Sequence, residues 1–175
     1  MALALVDNGK VLLGGLSCPN LDAECRPSTL GEGIIAMAAV GQGAWFNLLE
    51  EDSEFSWTAL RVSACDTPHG ARMLRSVESA HTNTTCTEGI AREVGMQGDP
   101  ILMDSQAKCV TLAAGHGEVL LRLPPSENPD YCEKIWDNAA GAILIEEAGG
   151  RVSDMYGRPL DFSTGRRLTA NRGLV

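Results

Sequence analysis

The chain has 175 residues, 44% of them hydrophobic and 21% charged, with a formal net charge of −9, the make-up of a folded domain, or two small ones sharing a core, and not of a disordered chain. So acidic a chain lacks the broad basic surface that polymeric nucleic acid demands, whereas a small phosphate ester needs only a few local cations. No stretch approaches the ~20 apolar residues that cross a bilayer, and six scattered cysteines without CxxC spacing read as reduced thiols of a soluble, cytoplasmic protein.

In chain order, Ala2–Val6 and Val11–Leu16 flank Asp7-Asn8-Gly9-Lys10, the pattern of a hairpin whose Asn-Gly turn tolerates positive φ. The chain thus opens inside a sheet with no secretory leader ahead of it, as expected of the later part of a longer protein. Gly33–Val40 and Gly43–Asn47 predict a second strand pair, Leu49–Ser56 an acidic loop and Thr58–Val62 a further strand. Residues 1–70 are therefore expected to form a glycine-punctuated antiparallel sheet, and residues 71–175 an α/β domain. In the second part Arg75–Glu78 predicts a strand and Thr85–Val94 a helix. Leu102-Met103 is a short apolar run, Ser105–Ala114 a helix ended by Gly115, and Glu118–Leu123 an alternating strand. Glu133–Ala148 is the clearest helix, stopped by Gly149-Gly150. Arg151–Asp154, Pro159–Phe162 and Leu168–Ala170 close the chain as short strands and turns.

The 133–148 helix is apolar nearly all round, which marks it as buried. Asp137 stands in its first turn, where its charge opposes the positive end of the helix dipole; from the helix alone it is a first-turn or capping acid. Glu146 and Glu147 lie at the unfavourable end and are expected to be exposed or paired with Arg151. Ser105 and Lys108, three apart, would share one face of a helix N-terminus. That is either a phosphate cradle or a serine cap followed by a solvated lysine. Arg122, flanked by Leu121 and Leu123, points opposite to them on a strand, toward water at an edge or toward a ligand.

Trp136-Asp137-Asn138-Ala139-Ala140-Gly141, followed by Glu147-Ala148-Gly149-Gly150, resembles the second signature of the inositol monophosphatase superfamily. Asp104-Ser105-Gln106-Ala107-Lys108, Leu121-Arg122-Leu123-Pro124, Glu133-Lys134-Ile135-Trp136-Asp137 and the closing Pro159–Ser163 and Gly165–Gly173 segments are similar to its 3′(2′),5′-bisphosphate nucleotidase branch. The resemblance implies an α/β fold, the C-terminal part of an αβαβα sandwich, with an incomplete antiparallel sheet followed by a mixed-sheet α/β domain. It implies Mg²⁺-dependent hydrolysis of a phosphomonoester, adenosine 3′,5′-bisphosphate going to AMP and phosphate, with inositol phosphates or fructose bisphosphate as the substrates of sister branches. It makes Asp137 a Mg²⁺ ligand, and sets His81, Ser105, Lys108 and Arg122 against the nucleotide and its phosphates. Asn138 stands where the branch often has histidine, and Cys109 where an aromatic is common.

The family's other metal carboxylates come from a Gly-Glu-Glu segment and an Asp-Pro-Ile-Asp-Gly-Thr segment, and neither occurs in this sequence. The isolated chain is accordingly expected to show little or no phosphatase activity. The alternative is a non-catalytic, truncated or degenerate homologue that binds nucleotide, a second copy of itself or a complementary N-terminal half. Missing strands would leave an open sheet edge and an apolar face.

Overall fold

The computed structural model describes residues 1–29, 32–49, 56–77 and 83–175. Strands β1 (Ala2–Asp7) and β2 (Lys10–Cys18) form the expected hairpin, with both turn residues, Asn8 (φ 47°) and Gly9 (φ 76°), in the left-handed region, the geometry that matches strand twist. β3 (Ile34–Ala39) and β4 (Gly43–Leu48) follow the expected second pair closely. With β5 (Thr58–Ala59) they complete a five-stranded sheet of order β1-β2-β3-β4-β5, antiparallel throughout. β5 is shorter than the Thr58–Val62 strand expected. Leu60 still donates to the Ala44 carbonyl, but by Val62 the backbone has left the sheet to bond the Ala148 carbonyl at 3.1 Å.

Period-2 alternation assigns the two faces of this sheet. Gly14, Leu16 and Cys18 of β2 and Ile34, Ala36 and Ala38 of β3 are buried on the inner face. The outer face carries Leu3, Leu5, Leu13, Met37 and Trp45 in cross-strand register, and Leu3 and Leu5 are 67% and 57% exposed.

The inner face packs on α3 (Ala139–Glu147). The approach is close because Gly14 has no side chain: a Cβ there would lie 2.5 Å from Ile143 Cγ2 and 3.0 Å from the Ala140 backbone. α2 (Ala107–Ala113) lies beside α3, with Cys109 against Gly141. It also reaches a parallel three-stranded sheet of order β7-β6-β8, built from β6 (Met73–Arg75), β7 (Ile101–Leu102) and β8 (Val119–Leu120). The helices thus lie between two sheets, the layered α/β arrangement expected, and one core cluster holds residues from both sides of position 70. α1 (Thr84–Glu93) buries only Thr87 and ties to β6 through Arg75–Glu88 at 2.6 Å.

Several boundaries differ from expectation for local reasons. β6 lies at Met73–Arg75 because the buried Met73 and Leu74 make it the central parallel strand; Glu78 and part of the acidic 49–56 loop lie outside the described residues. β8 stops at Leu120, and Arg122 instead bridges Leu174 near the C-terminus. The long helix expected over 133–148 is broken. Lys134 is extended (φ −85°, ψ 140°) and bridged to Arg167, Ile135–Asp137 form a 3₁₀ turn, Asn138 is non-helical (φ −133°), and α3 starts only at Ala139. Gly149 (φ 95°) ends it as expected. Glu147 does not pair with Arg151. Its two oxygens accept from the Gly41 and Gly43 amides at 2.8 and 2.9 Å, clamping the β3–β4 turn to the end of α3, while Arg151 donates to the Gly157 carbonyl. The Arg151–Asp154, Pro159–Phe162 and Leu168–Ala170 segments run as turns and extended backbone, held in part by reciprocal Ser153–Val175 hydrogen bonds.

Candidate functional site

Ser105 does not belong to α2. It takes a left-handed conformation (φ 69°), and its Oγ accepts from the Ala107 amide at 3.2 Å, so the helix starts two residues later. A seven-residue helix so capped offers no free N-terminal cradle of the kind the Ser105–Lys108 spacing suggested. Lys108 is not a solvated lysine either. It is 5% exposed, with Nζ donating to the Met103 carbonyl at 3.0 Å and to Ser76 Oγ at 3.1 Å. Burial, reinforced by the neighbouring Arg122 charge, pushes its pKa below the ordinary lysine value. One of its three N–H donors is left over.

Arg122 follows β8 and forms a two-pronged ion pair with Glu133, Nε to Oε1 at 3.2 Å and a terminal nitrogen to Oε2 at 3.0 Å. Glu133 is 6% exposed, so the pair neutralises a buried charge that would otherwise be costly. The guanidinium is neither an edge charge facing water nor wholly given to a ligand: three of its five N–H groups are outside that pair. Glu133 escaped the sequence reading, although an arginine set between leucines on a strand calls for a buried partner. Nothing local points to which acid supplies it.

Asp137 ends the 3₁₀ turn before α3. The turn is held by Asn138, whose side chain donates to the Lys134 carbonyl at 2.8 Å, and by Gln106, whose Nε2 donates to the Trp136 carbonyl at 3.1 Å. Cations from Lys134 and Arg166 lie 5.7 and 5.5 Å from the Trp136 ring centre. Among the described residues no donor is hydrogen-bonded to the Asp137 carboxylate.

Ser105, Lys108, Arg122 and Asp137 nevertheless line one cavity, together with Gln106 and Asn138. These residues, drawn from three separate stretches of chain, converge there, and the cavity is narrow, about 20 Å³. Cys109 lines it too, and burial pushes its thiol up to about 11, which disfavours the thiolate form. His81 lies outside the described residues.

This layered fold, with a carboxylate and two cations gathered where α3 begins, is that of a phosphatase family: a model of the inositol monophosphatase family matches residues 1–174, and the chain belongs to that family. Within the family it is similar to 3′(2′),5′-bisphosphate nucleotidases. It is 39% identical over 176 residues to the 3′(2′),5′-bisphosphate nucleotidase of Schizosaccharomyces pombe and 42% identical over 183 residues to that of Oryza sativa. All of this chain is covered in both cases, but only 49% of either relative; the chain spans about half the length of the curated relatives it matches. Among solved structures, CysQ of Bacteroides thetaiotaomicron has a TM-score of 0.69 at 17% identity, over 99% of this chain and 60% of its own. An inositol monophosphatase from Zymomonas mobilis has a TM-score of 0.67 at 16% identity, over 99% and 55%.

The Mg²⁺ associated with the family does not fit the donors gathered here. A hard cation of this size wants several oxygen ligands. Asp137 supplies one carboxylate, and among the described residues no three His, Cys, Asp or Glu side chains come together as a metal cage. Among the described residues, too, no helix is long and apolar enough to cross a membrane.

Proposed function

We propose that this chain carries the substrate-facing residues of a phosphomonoester hydrolase of the 3′(2′),5′-bisphosphate nucleotidase type, acting on adenosine 3′,5′-bisphosphate to give AMP and phosphate. The observation that carries the reading is the convergence of Ser105, Lys108, Arg122 and Asp137 on one cavity. In this reading residues 1–70 are the antiparallel-sheet part and residues 71–175 the part that faces nucleotide. The spare N–H groups of Lys108 and Arg122 complement phosphate oxygens through charge-assisted hydrogen bonds. Ser105 stands exposed beside them as a further hydroxyl, and His81 is proposed to join them on the nucleotide. Asp137 is proposed as one arm of a multi-carboxylate Mg²⁺ site whose other arms this chain does not contain.

Two measurements on the isolated chain test this. Calorimetric titration should show binding of adenosine 3′,5′-bisphosphate, weakened at least ~10-fold in Lys108→Met, in line with loss of a charge-assisted contact. Phosphate release from the same compound should stay near background. Absence of binding would sink the nucleotide reading, and robust turnover would refute the incompleteness of the catalytic set.

A second reading has its own support in the open apolar outer face of the five-stranded sheet. In it the chain is non-catalytic and acts by associating with a second copy or with a complementary polypeptide.

A further inference from the structure

Arg122 and Glu133 are each fixed at the backbone before their side chains meet. Arg122 exchanges amide hydrogen bonds with Leu174 at 2.8 and 2.9 Å, and the Glu133 carbonyl accepts from the Leu168 amide at 2.9 Å. Between these anchors the carboxylate takes one side of the guanidinium, Oε1 on Nε and Oε2 on Nη2. A guanidinium is planar, with its five N–H groups in a rigid fork. A carboxylate seated on the Nε–Nη2 side therefore leaves a second pair of near-parallel donors on the Nη1–Nη2 edge. Among the described residues the only buried unpaired side-chain atoms are Arg75 Nε and Gln106 Oε1, so Nη1, which makes no hydrogen bond there, is open to solvent.

The exposure of the pair is lopsided, 27% for the Arg122 side chain against 6% for Glu133. The arginine is thus reached from the side away from the acid, and the cavity it lines is the one shared with Ser105, Lys108 and Asp137. Such a pair is a poor device for stability, because withdrawing both charges from water costs about as much as their attraction returns. It is a good device for aim: a long, flexible side chain pinned along one edge presents the other edge in one orientation. Two parallel donors match two oxygens of a single phosphate group.

We propose that Glu133 is a positioning residue, which grips one edge of the Arg122 guanidinium and presents the opposite edge to a ligand phosphate as a two-pronged clamp. The inference rests on the nucleotide reading above. It carries a definite sign. By charge alone, removing an acid beside a phosphate site tightens binding; loss of aim weakens it.

The test is titration of the chain with adenosine 3′,5′-bisphosphate in the wild type, Glu133→Gln, Arg122→Lys and the double variant, with thermal unfolding to show that each is folded. Glu133→Gln keeps the volume but loses the charge and one of the two acceptors. It should bind about tenfold more weakly, the scale of a charge-assisted contact, although the site gains positive charge. Arg122→Lys keeps a charge but has no edge to be aimed, and should lose a similar factor. In that lysine background Glu133→Gln should no longer weaken binding. A Glu133 that merely supported the fold would weaken it equally with arginine or lysine at that position. Glu133→Gln or Arg122→Lys binding as tightly as wild type, or equal losses in the two backgrounds, overturns this inference alone. Where Glu133→Gln or the double variant fails to fold, the Arg122→Lys result decides. Absence of binding by the wild type overturns the nucleotide reading and this inference with it.

Discussion

Asp154 is fully buried, and burial alone would raise its pKa. The Arg158 guanidinium at 2.6 Å, the backbone amides of Arg158 and Tyr156, and the Asn171 side chain outweigh that and hold it well below the usual carboxylate range. A carboxylate whose folded pKa lies below its unfolded value near ~3.9 stabilises the fold fully above that pH, and the contribution drains away as pH falls through the folded value. Thermal unfolding from pH 6 to pH 2 should therefore show wild type losing stability below about pH 4. Asp154→Asn should start about 2 kcal/mol less stable at pH 6, the cost of weakening a buried charge-assisted network, and the gap should close in acid. A gap constant with pH would refute the assignment. At this scale the sequence exposed Asp137, Ser105, Lys108 and Arg122 as residue types suited to a phosphate ester. It could not expose Glu133, Ser76 or the Met103 carbonyl as their partners, because those contacts arise from packing between separate stretches of chain.

The elements that were legible are those whose signal is local. Asn8-Gly9 dictates the first hairpin, Gly41–Gly43 the second, and Gly149 the end of α3, each through backbone conformations that glycine and asparagine tolerate. The break before α3 was not legible. Residues 133–138 were expected to be helical, but the Arg122–Glu133 ion pair anchors Glu133 and the Lys134–Arg167 bridge holds Lys134 extended, and tertiary pairing overrides propensity. The close packing of α3 on β2 makes a prediction at this scale. Gly14→Ala would force a Cβ into Ile143 and the Ala140 backbone, so it should destabilise the chain by about 1–3 kcal/mol, read as a fall in the denaturant midpoint. Gly15→Ala, whose Cβ meets nothing nearer than 3.8 Å, should cost clearly less. Equal effects would mean that α3 does not seat on the sheet as described.

For the whole molecule the informative surface is the outer face of the five-stranded sheet. Leu3, Leu5, Trp45 and Trp57 are all more than a third exposed, and Leu13, Met37, Trp45 and Trp57 line a largely apolar depression of about 470 Å³. Among the described residues β1 is the terminal strand of that sheet, paired there on one side only, to β2, and such an edge is a known template for association. Sedimentation of the purified chain should therefore show concentration-dependent association. Leu3→Glu combined with Leu5→Glu should restore a monomer without lowering the melting temperature by more than a few degrees, since both side chains are already mostly exposed. A wild type that stays monomeric at high concentration would remove the second functional reading in its self-associating form.

Glu147 and Asp137 bracket one stiff rod. A nine-residue helix is about 14 Å long; α3 grips the Gly41–Gly43 turn at its far tip and abuts the cavity lined by Lys108, Arg122 and Asp137 at its near tip. That turn also borders the apolar depression on the sheet's opposite side. Displacing that turn would pull, through Glu147, on the same rod whose opposite end stands beside Asp137.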